Sequence, residues 1–263
     1  MDLKLKGKKA LVTGASRGLG LAVASMLAGE GADVSINSRS ESAMAECKNR
    51  ILKETGTAIH TFACDLTSSD GPAKLVDDAF SAMGGLDILV TNTGGPKPGR
   101  FETLQDADWL YAFNLLLMSH VRLIRQSLPY LRKSSSPAVL TITSYAVKQP
   151  IPNLVLSNSL RAATVGLTKT LALELGSEGI RFNSIMPGWT DTERVQTLLR
   201  DRASQNKTTI DQELTKQAAD IALNRIATPE EFAYAAVFLV SPRASYITGS
   251  MFPVDGGAIK GLL

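Results

Sequence analysis

Seven short apolar, β-branched runs punctuate the chain: Lys9–Thr13, Asp33–Asn37, Ala58–Ala63, Leu86–Thr91, Ala138–Thr143, Ile180–Ile185 and Met251–Val254. Most are continuous rather than alternating, the mark of strands buried on both faces. The segments between them carry helical periodicity and are long enough for right-handed crossovers, so the pattern predicts α/β class: a doubly wound, parallel, seven-stranded sheet with helices on both faces, formed by one domain over residues 1–263. One stretch, from about Asp191 to Asn224, is polar and helix-like and lies outside the strand rhythm. It is expected to form a lid over a substrate.

Composition narrows the class. With 44% hydrophobic and 20% charged residues and a net charge of +3 spread without a Lys/Arg run, neither disorder nor a nucleic-acid partner is expected. No segment reaches the roughly 18 apolar residues of a membrane span, and the N-terminal apolar stretch runs straight into a strand and a glycine loop, so neither a membrane nor a signal peptide is expected. Cys47, on a helical segment, and Cys64, at a strand end, have no metal spacing around them and read as reduced thiols of a cytoplasmic protein, with no metal.

The first strand leads into Thr13-Gly14-Ala15-Ser16-Arg17-Gly18-Leu19-Gly20 and then into the apolar helix Leu21–Ala28. Glycines let the backbone turn tightly beside a pyrophosphate, whose charge suits the free N–H groups of a helix start, so a Rossmann-type dinucleotide site is indicated. The sequence resembles the short-chain dehydrogenase/reductase family along nearly its whole length. Thr13, Gly14, Gly18 and Gly20 match that family's TGxxxGxG loop in full, and Asp65-Leu66 resembles its adenine-contacting acid. Asn92-Thr93-Gly94 resembles the NNAG segment, with Thr91 replacing the first Asn. Pro187-Gly188 with Thr192 resembles the nicotinamide loop. Pro229-Glu230-Glu231, Ile247-Thr248-Gly249 and Asp255-Gly256-Gly257 match its C-terminal signatures.

In that family an acid ending the second strand selects NAD. Here Ser38 stands there with Arg39 beside it and Arg17 in the glycine loop, and two guanidinium groups suit a 2′-phosphate, so NADP(H), with NADPH preferred over NADH, is the expected cofactor. The alternative is that both arginines are solvated surface charges.

The resemblance also implies an Asn, a Ser and a YxxxK pair, in which the phenol gives a proton to a carbonyl oxygen, the Lys lowers the Tyr pKa and holds a ribose, and the Asn supports a water chain. Ser144 ends the fifth strand as expected. Counting thirteen onward gives Ser157 for the Tyr and four more gives Arg161 for the Lys, a register fixed by Gly166–Glu174. Leu116 takes the Asn position, and Asn114 should face elsewhere on its helix. Arg161 can keep the positive charge toward the ribose but is a poor proton shuttle.

Tyr145 or Lys148 is a candidate substitute acid if its loop folds over the nicotinamide; otherwise Tyr145 packs and Lys148 is solvated. His120 is expected to be structural or interfacial. Lys97 and Arg100, in the Gly/Pro-rich loop after the fourth strand, either meet an anionic substrate or remain solvated. The expectation is an NADP(H)-dependent oxidoreductase, similar to the 3-oxoacyl-acyl-carrier-protein reductase branch, acting on a small-molecule or carrier-linked carbonyl. The alternatives are a silent dinucleotide-binding sensor or scaffold, and a structural oligomer that no longer binds cofactor. A homotetramer formed through Asp106–Leu131, Leu154–Gly176 and the C-terminal strand is implied by resemblance.

Overall fold

The computed structural model describes residues 1–262. Seven parallel strands form one sheet in the order β3-β2-β1-β4-β5-β6-β7: β1 Lys9–Val12, β2 Asp33–Ser38, β3 His60–Ala63, β4 Ile88–Thr91, β5 Ala138–Ile142, β6 Arg181–Pro187 and β7 Met251–Val254. The helices are α1 Gly18–Gly29, α2 Glu41–Thr55, α3 Gly71–Met83, α4 Asp106–Phe113, α5 Ser119–Leu131, α6 Val155–Leu175, α7 Glu193–Asn206, α8 Ile210–Ala219 and α9 Pro229–Val240. All seven strands fall where the apolar runs predict them, with ends differing by at most a few residues; in the central strands burial on both faces overrides local propensity, while the edge strands β3 and β7 are half-buried to exposed.

The two faces of the sheet bury separate cores. On one, α1, α2 and α9 cover Val12, Val34, Ile36, Val90, Leu140 and Ile185, with Phe232 fully enclosed. On the other, α3, α5 and α6 cover Leu11, Leu89, Val139 and Phe182. Each such fully buried aliphatic or aromatic side chain stabilises the fold by about 1.5–3 kcal/mol. One charge is enclosed with them. The Arg181 guanidinium donates to the carbonyls of Leu239, Val240, Ser241 and Ile247 at 2.8–3.3 Å, so it ties the C-terminal end of α9 to the start of β6.

Strand order reverses direction between β1 and β4, and open α/β sheets bind ligands in the crevice at such a point, beyond the strand C-termini. The brace across that crevice is built from side chain to backbone. Thr13 Oγ1 donates to the Asn92 carbonyl at 2.8 Å and receives the Asn92 N–H at 2.9 Å, while Asn92 Nδ2 donates to the Gly14 carbonyl at 3.0 Å. The segment after β6 folds into α7 and α8, capped by Thr192 and Thr209. Between α4 and α5 the helical run is continuous but passes through a π-helical segment, Asn114–Met118. Pro129 lies inside α5 near its end.

Candidate active site

The glycine loop meets the demands of a bound pyrophosphate in three ways. Gly14 and Gly18 hold positive φ, 57° and 56°. A Cβ on Gly20 would lie 2.5 Å from the Gly14 carbonyl oxygen, so the helix starts too close to the loop for any side chain. The start of α1 has no side-chain cap and no acid in its first turn, which leaves its N–H donors and positive dipole end for an anion.

The crevice opens into a cavity of about 450 Å³. Its walls bring together Gly14, Arg17, Gly18, Leu19, Arg39, Asn92, Thr93, Gly94, Ser144, Tyr145, Ser157, Arg161, Pro187, Gly188 and Thr192, drawn from loops after β1, β2, β4, β5 and β6 and from α6. Six other residues singled out in the sequence stand behind or beside the wall. Thr13 braces Asn92 and Gly20 packs against Gly14. The Ser16 carbonyl receives the Cys47 thiol, and Ser38 Oγ accepts the Ser40 N–H at 3.4 Å. Asp65 accepts the N–H and hydroxyl of Thr67, both at 2.9 Å, and Leu66 is buried in the core. Burial pushes both the Cys47 and the Cys64 thiol upward, so neither is an activated nucleophile.

Arg17 is not a free cation here: it pairs with Glu193 at the start of α7, whereas Arg39 is exposed and forms no ion pair among the described residues. Lys97 is likewise committed, to Asp108 at 3.1 Å, and Arg100 Nε donates to Asn153 Oδ1 at 3.3 Å. Lys148 is exposed and does not line the cavity.

At the YxxxK register, Arg161 Nε donates to Ser157 Oγ at 3.2 Å and Arg161 Nη1 to the Ile142 carbonyl at 3.1 Å. Both side chains are buried. Burial, and secondarily the positive charge of Arg194, pull the Arg161 pKa down to about 10, which leaves it charged at neutral pH. Ser144 Oγ caps the turn that follows β5 by accepting the Ala146 N–H at 3.1 Å. Tyr145, in that turn, is enclosed with Trp189, Leu199 and Ile221. Its Oη accepts the Trp189 indole N–H at 2.8 Å, so the phenolic proton remains available to donate. Burial, outweighing the Trp189 hydrogen bond, raises its pKa and keeps it protonated.

Leu116, at the position of the expected Asn, gives its carbonyl to the Thr164 hydroxyl at 2.5 Å. Asn114 turns back on its own helix and donates to the Leu110 carbonyl at 3.1 Å. His120 is enclosed, with Nδ1 against Ser119 Oγ at 3.1 Å and no partner for Nε2 among the described residues. Burial, reinforced by Arg161, lowers its pKa to about 3, so it is neutral.

Sequence reasoning missed Trp189, Glu193 and Arg194, all on the cavity wall. Arg194 Nη2 donates to the Pro96 carbonyl at 3.0 Å, and its guanidinium lies where a Cβ on Gly95 would sit, 2.9 Å from Nε. The available signal was adjacency: Trp189 to Arg194 directly follow Pro187-Gly188, at the C-terminal end of a buried strand.

A parallel sheet with a glycine-loop crevice at its switch point defines a Rossmann-type nucleotide fold. The family described as enoyl-(acyl carrier protein) reductase matches residues 14–258. The 7alpha-hydroxysteroid dehydrogenase of Escherichia coli (strain K12) is 32% identical over 261 residues, covering 99% of this chain and 98% of that one. The 3-oxoacyl-acyl-carrier-protein reductase of Vibrio cholerae is 31% identical, covering 97% and 98%. The crystal structure of L-sorbose reductase from Gluconobacter frateurii, complexed with NADPH and L-sorbose, superposes with a TM-score of 0.95 at 33% identity, covering 100% of both chains. The chain belongs to the short-chain dehydrogenase/reductase family and is an oxidoreductase of that type.

Proposed function

We propose that the protein is an NADPH-dependent reductase of a small-molecule or carrier-linked carbonyl compound, with proton transfer relocated from the YxxxK register to Tyr145. The single observation that carries this reading is one cavity joining an uncapped glycine-loop helix start to a buried phenol whose proton is unspent. Gly14, Gly18, Leu19 and Gly94 cradle the pyrophosphate, Arg17 and Arg39 receive the 2′-phosphate, and Pro187, Gly188 and Thr192 flank the nicotinamide, with Thr13, Ser16, Gly20, Ser38, Asp65 and Leu66 supporting the nucleotide from behind. The nicotinamide, when bound, supplies the hydride.

Arg161 orients the ribose and holds positive charge beside the reacting carbonyl, Ser144 positions the carbonyl oxygen, and Ser157 fixes the Arg161 fork. Trp189 aims the phenol of Tyr145, which gives its proton to the developing alkoxide. The helices α7 and α8 act as the lid. A second reading, a catalytically silent NADP(H)-binding sensor or scaffold, is favoured by the residues at the family position, where the weakly acidic Ser157 hydroxyl and the permanently charged Arg161 replace the phenol and the amine.

We further place the protein in the cytoplasm as a homotetramer. The described residues contain no helix long and apolar enough to cross a membrane. The tetramer rests on apolar side chains left outside the monomer on α4 and α6 and near β7, with Leu110 63%, Leu173 75% and Tyr246 102% exposed; a monomer mass in sedimentation removes it. The functional test is NADPH oxidation against β-ketoacyl thioesters, diketones, quinones and sugars, with heat-killed protein as blank. Turnover that survives Ser157→Ala and falls with Tyr145→Phe supports the reductase; saturable NADPH binding without turnover supports the sensor.

A further inference from the structure

The cavity wall is strongly cationic: its ionised side chains are Arg17, Arg39, Arg161, Arg194 and one acid, Glu193, which is already paired with Arg17. Arg17 and Arg39 belong to the adenosine end of the crevice. Arg161 and Arg194 stand at the other end, and neither forms an ion pair among the described residues. Their hydrogen bonds are all to neutral oxygens, those of Ser157, Ile142 and Pro96, and the Nη2 of Arg161 donates to none of the described residues. The buried Arg161 guanidinium has no counter-ion, which is costly, and the positive charge of Arg194, itself exposed at the cavity mouth and influenced by Asp201, adds to that cost. Beside them lie the apolar side chains of Tyr145, Ile151, Leu154 and Trp189; Tyr145, Ile151 and Leu154 also border a second, largely polar cavity of about 830 Å³.

We infer that the substrate is an anion, a carboxylate-bearing oxo compound with an apolar tail, whose carboxylate is held between Arg161 and Arg194. This rests on the reductase reading above and specifies its substrate class. A carboxylate supplies the missing counter-charge, and its two oxygens suit the planar fork of a guanidinium better than a neutral ketone can. Arg161 remains charged despite its burial, which supports the same assignment. Lys97, the loop cation that the sequence suggested for an anion, is occupied by Asp108.

The test is calorimetric titration of the NADP⁺-loaded protein with 2-oxo-4-phenylbutanoate and with 4-phenyl-2-butanone, which replaces the carboxylate by a methyl group. The acid is expected to bind on the order of 10- to 100-fold tighter, from one or two charge-assisted hydrogen bonds. Arg194→Gln should reduce that preference to within about threefold while NADP⁺ affinity is kept; Arg161→Lys, which retains charge but loses the fork, should reduce it in part. Equal binding of the two compounds, no binding of the acid, or a preference untouched by both substitutions overturns the inference. So does an Arg194→Gln protein that loses NADP⁺ affinity but keeps the preference, because Arg194 then serves the cofactor. If NADP⁺ itself fails to bind, the cofactor reading falls, and the same pair of titrations on the unliganded protein still decides whether the guanidinium pair selects a carboxylate.

Discussion

The ion pair between Arg17 and Glu193 places a carboxylate beside the guanidinium proposed for the 2′-phosphate, so Glu193→Gln should tighten NADPH and leave NADH alone. Two contributions set the size. The side chains are 68% and 62% exposed, so breaking their pair in the free protein costs only about 0.2–1 kcal/mol, which phosphate binding no longer has to overcome. Removing a negative charge roughly 7 Å from a phosphate of charge about −1.5 to −2 relieves about 1 kcal/mol at the dielectric constant of water. Together they give about 1–2 kcal/mol, or roughly 5- to 30-fold in Kd. The assay is NADPH and NADH titration by cofactor fluorescence at low and high salt. The NADPH gain should shrink in salt, because the Debye length falls from about 10 Å at 0.1 M to about 3 Å at 1 M. An unchanged NADPH affinity, or an equal gain for NADH, refutes the assignment of Arg17 to the phosphate.

Four further outcomes follow from the geometry. Tyr145→Phe should lower turnover by about 10²- to 10⁴-fold at unchanged NADPH affinity, and strand the buried Trp189 N–H at about 1–3 kcal/mol of stability, read by steady-state kinetics and denaturant melts. Gly20→Ala forces a Cβ onto the Gly14 carbonyl, so about 1–3 kcal/mol of stability should be lost along with nucleotide affinity, and Tm should fall by roughly 2–12 °C. His120 has a folded pKa of about 3, below the unfolded value of about 6.5, so the unfolded chain binds more protons between them: its contribution is intact above pH 6.5 and is lost as pH falls toward 3. That amounts to about 2 kcal/mol by pH 5, and His120→Leu should flatten this part of the stability curve measured by urea titration. Arg181→Leu abandons the carbonyls at the end of α9 and should cost about 3–5 kcal/mol, visible as a lowered urea midpoint.

What could be read from the chain alone divides by physical cause. The strands and the glycine loop were legible because burial on both faces and close backbone approach act on residue type locally: Val90 and Leu140 must be apolar, and nothing larger than glycine fits at position 20. The replacement of the YxxxK pair by Ser157 and Arg161 was legible as a matter of register. The partners of individual charges were not, because they depend on how α7 lies across the crevice. Arg17 pairs with a residue 176 positions away, and Arg194 reaches Pro96 across 98. The part played by Tyr145 was left open for the same reason, since the indole that holds it arrives from the loop after β6.

The π segment at Asn114–Met118 bears on how this protein tolerates changes in length. A wider turn carries one residue more than an α-helix needs, so the residues after it are rotated by about 100° against a straight continuation. The inward row of α5, Ser119, His120, Leu123, Ile124, Ser127 and Leu131, has its phase set by that surplus residue. Deleting any one residue from 114 to 118 would remove the surplus and relax the segment to ordinary helix with the row of α5 kept in phase, whereas inserting one would swing the row toward solvent by about 100°. Single-residue deletions, usually disruptive inside a buried helix, should therefore be tolerated at these five positions, while a single-residue insertion there should prevent folding.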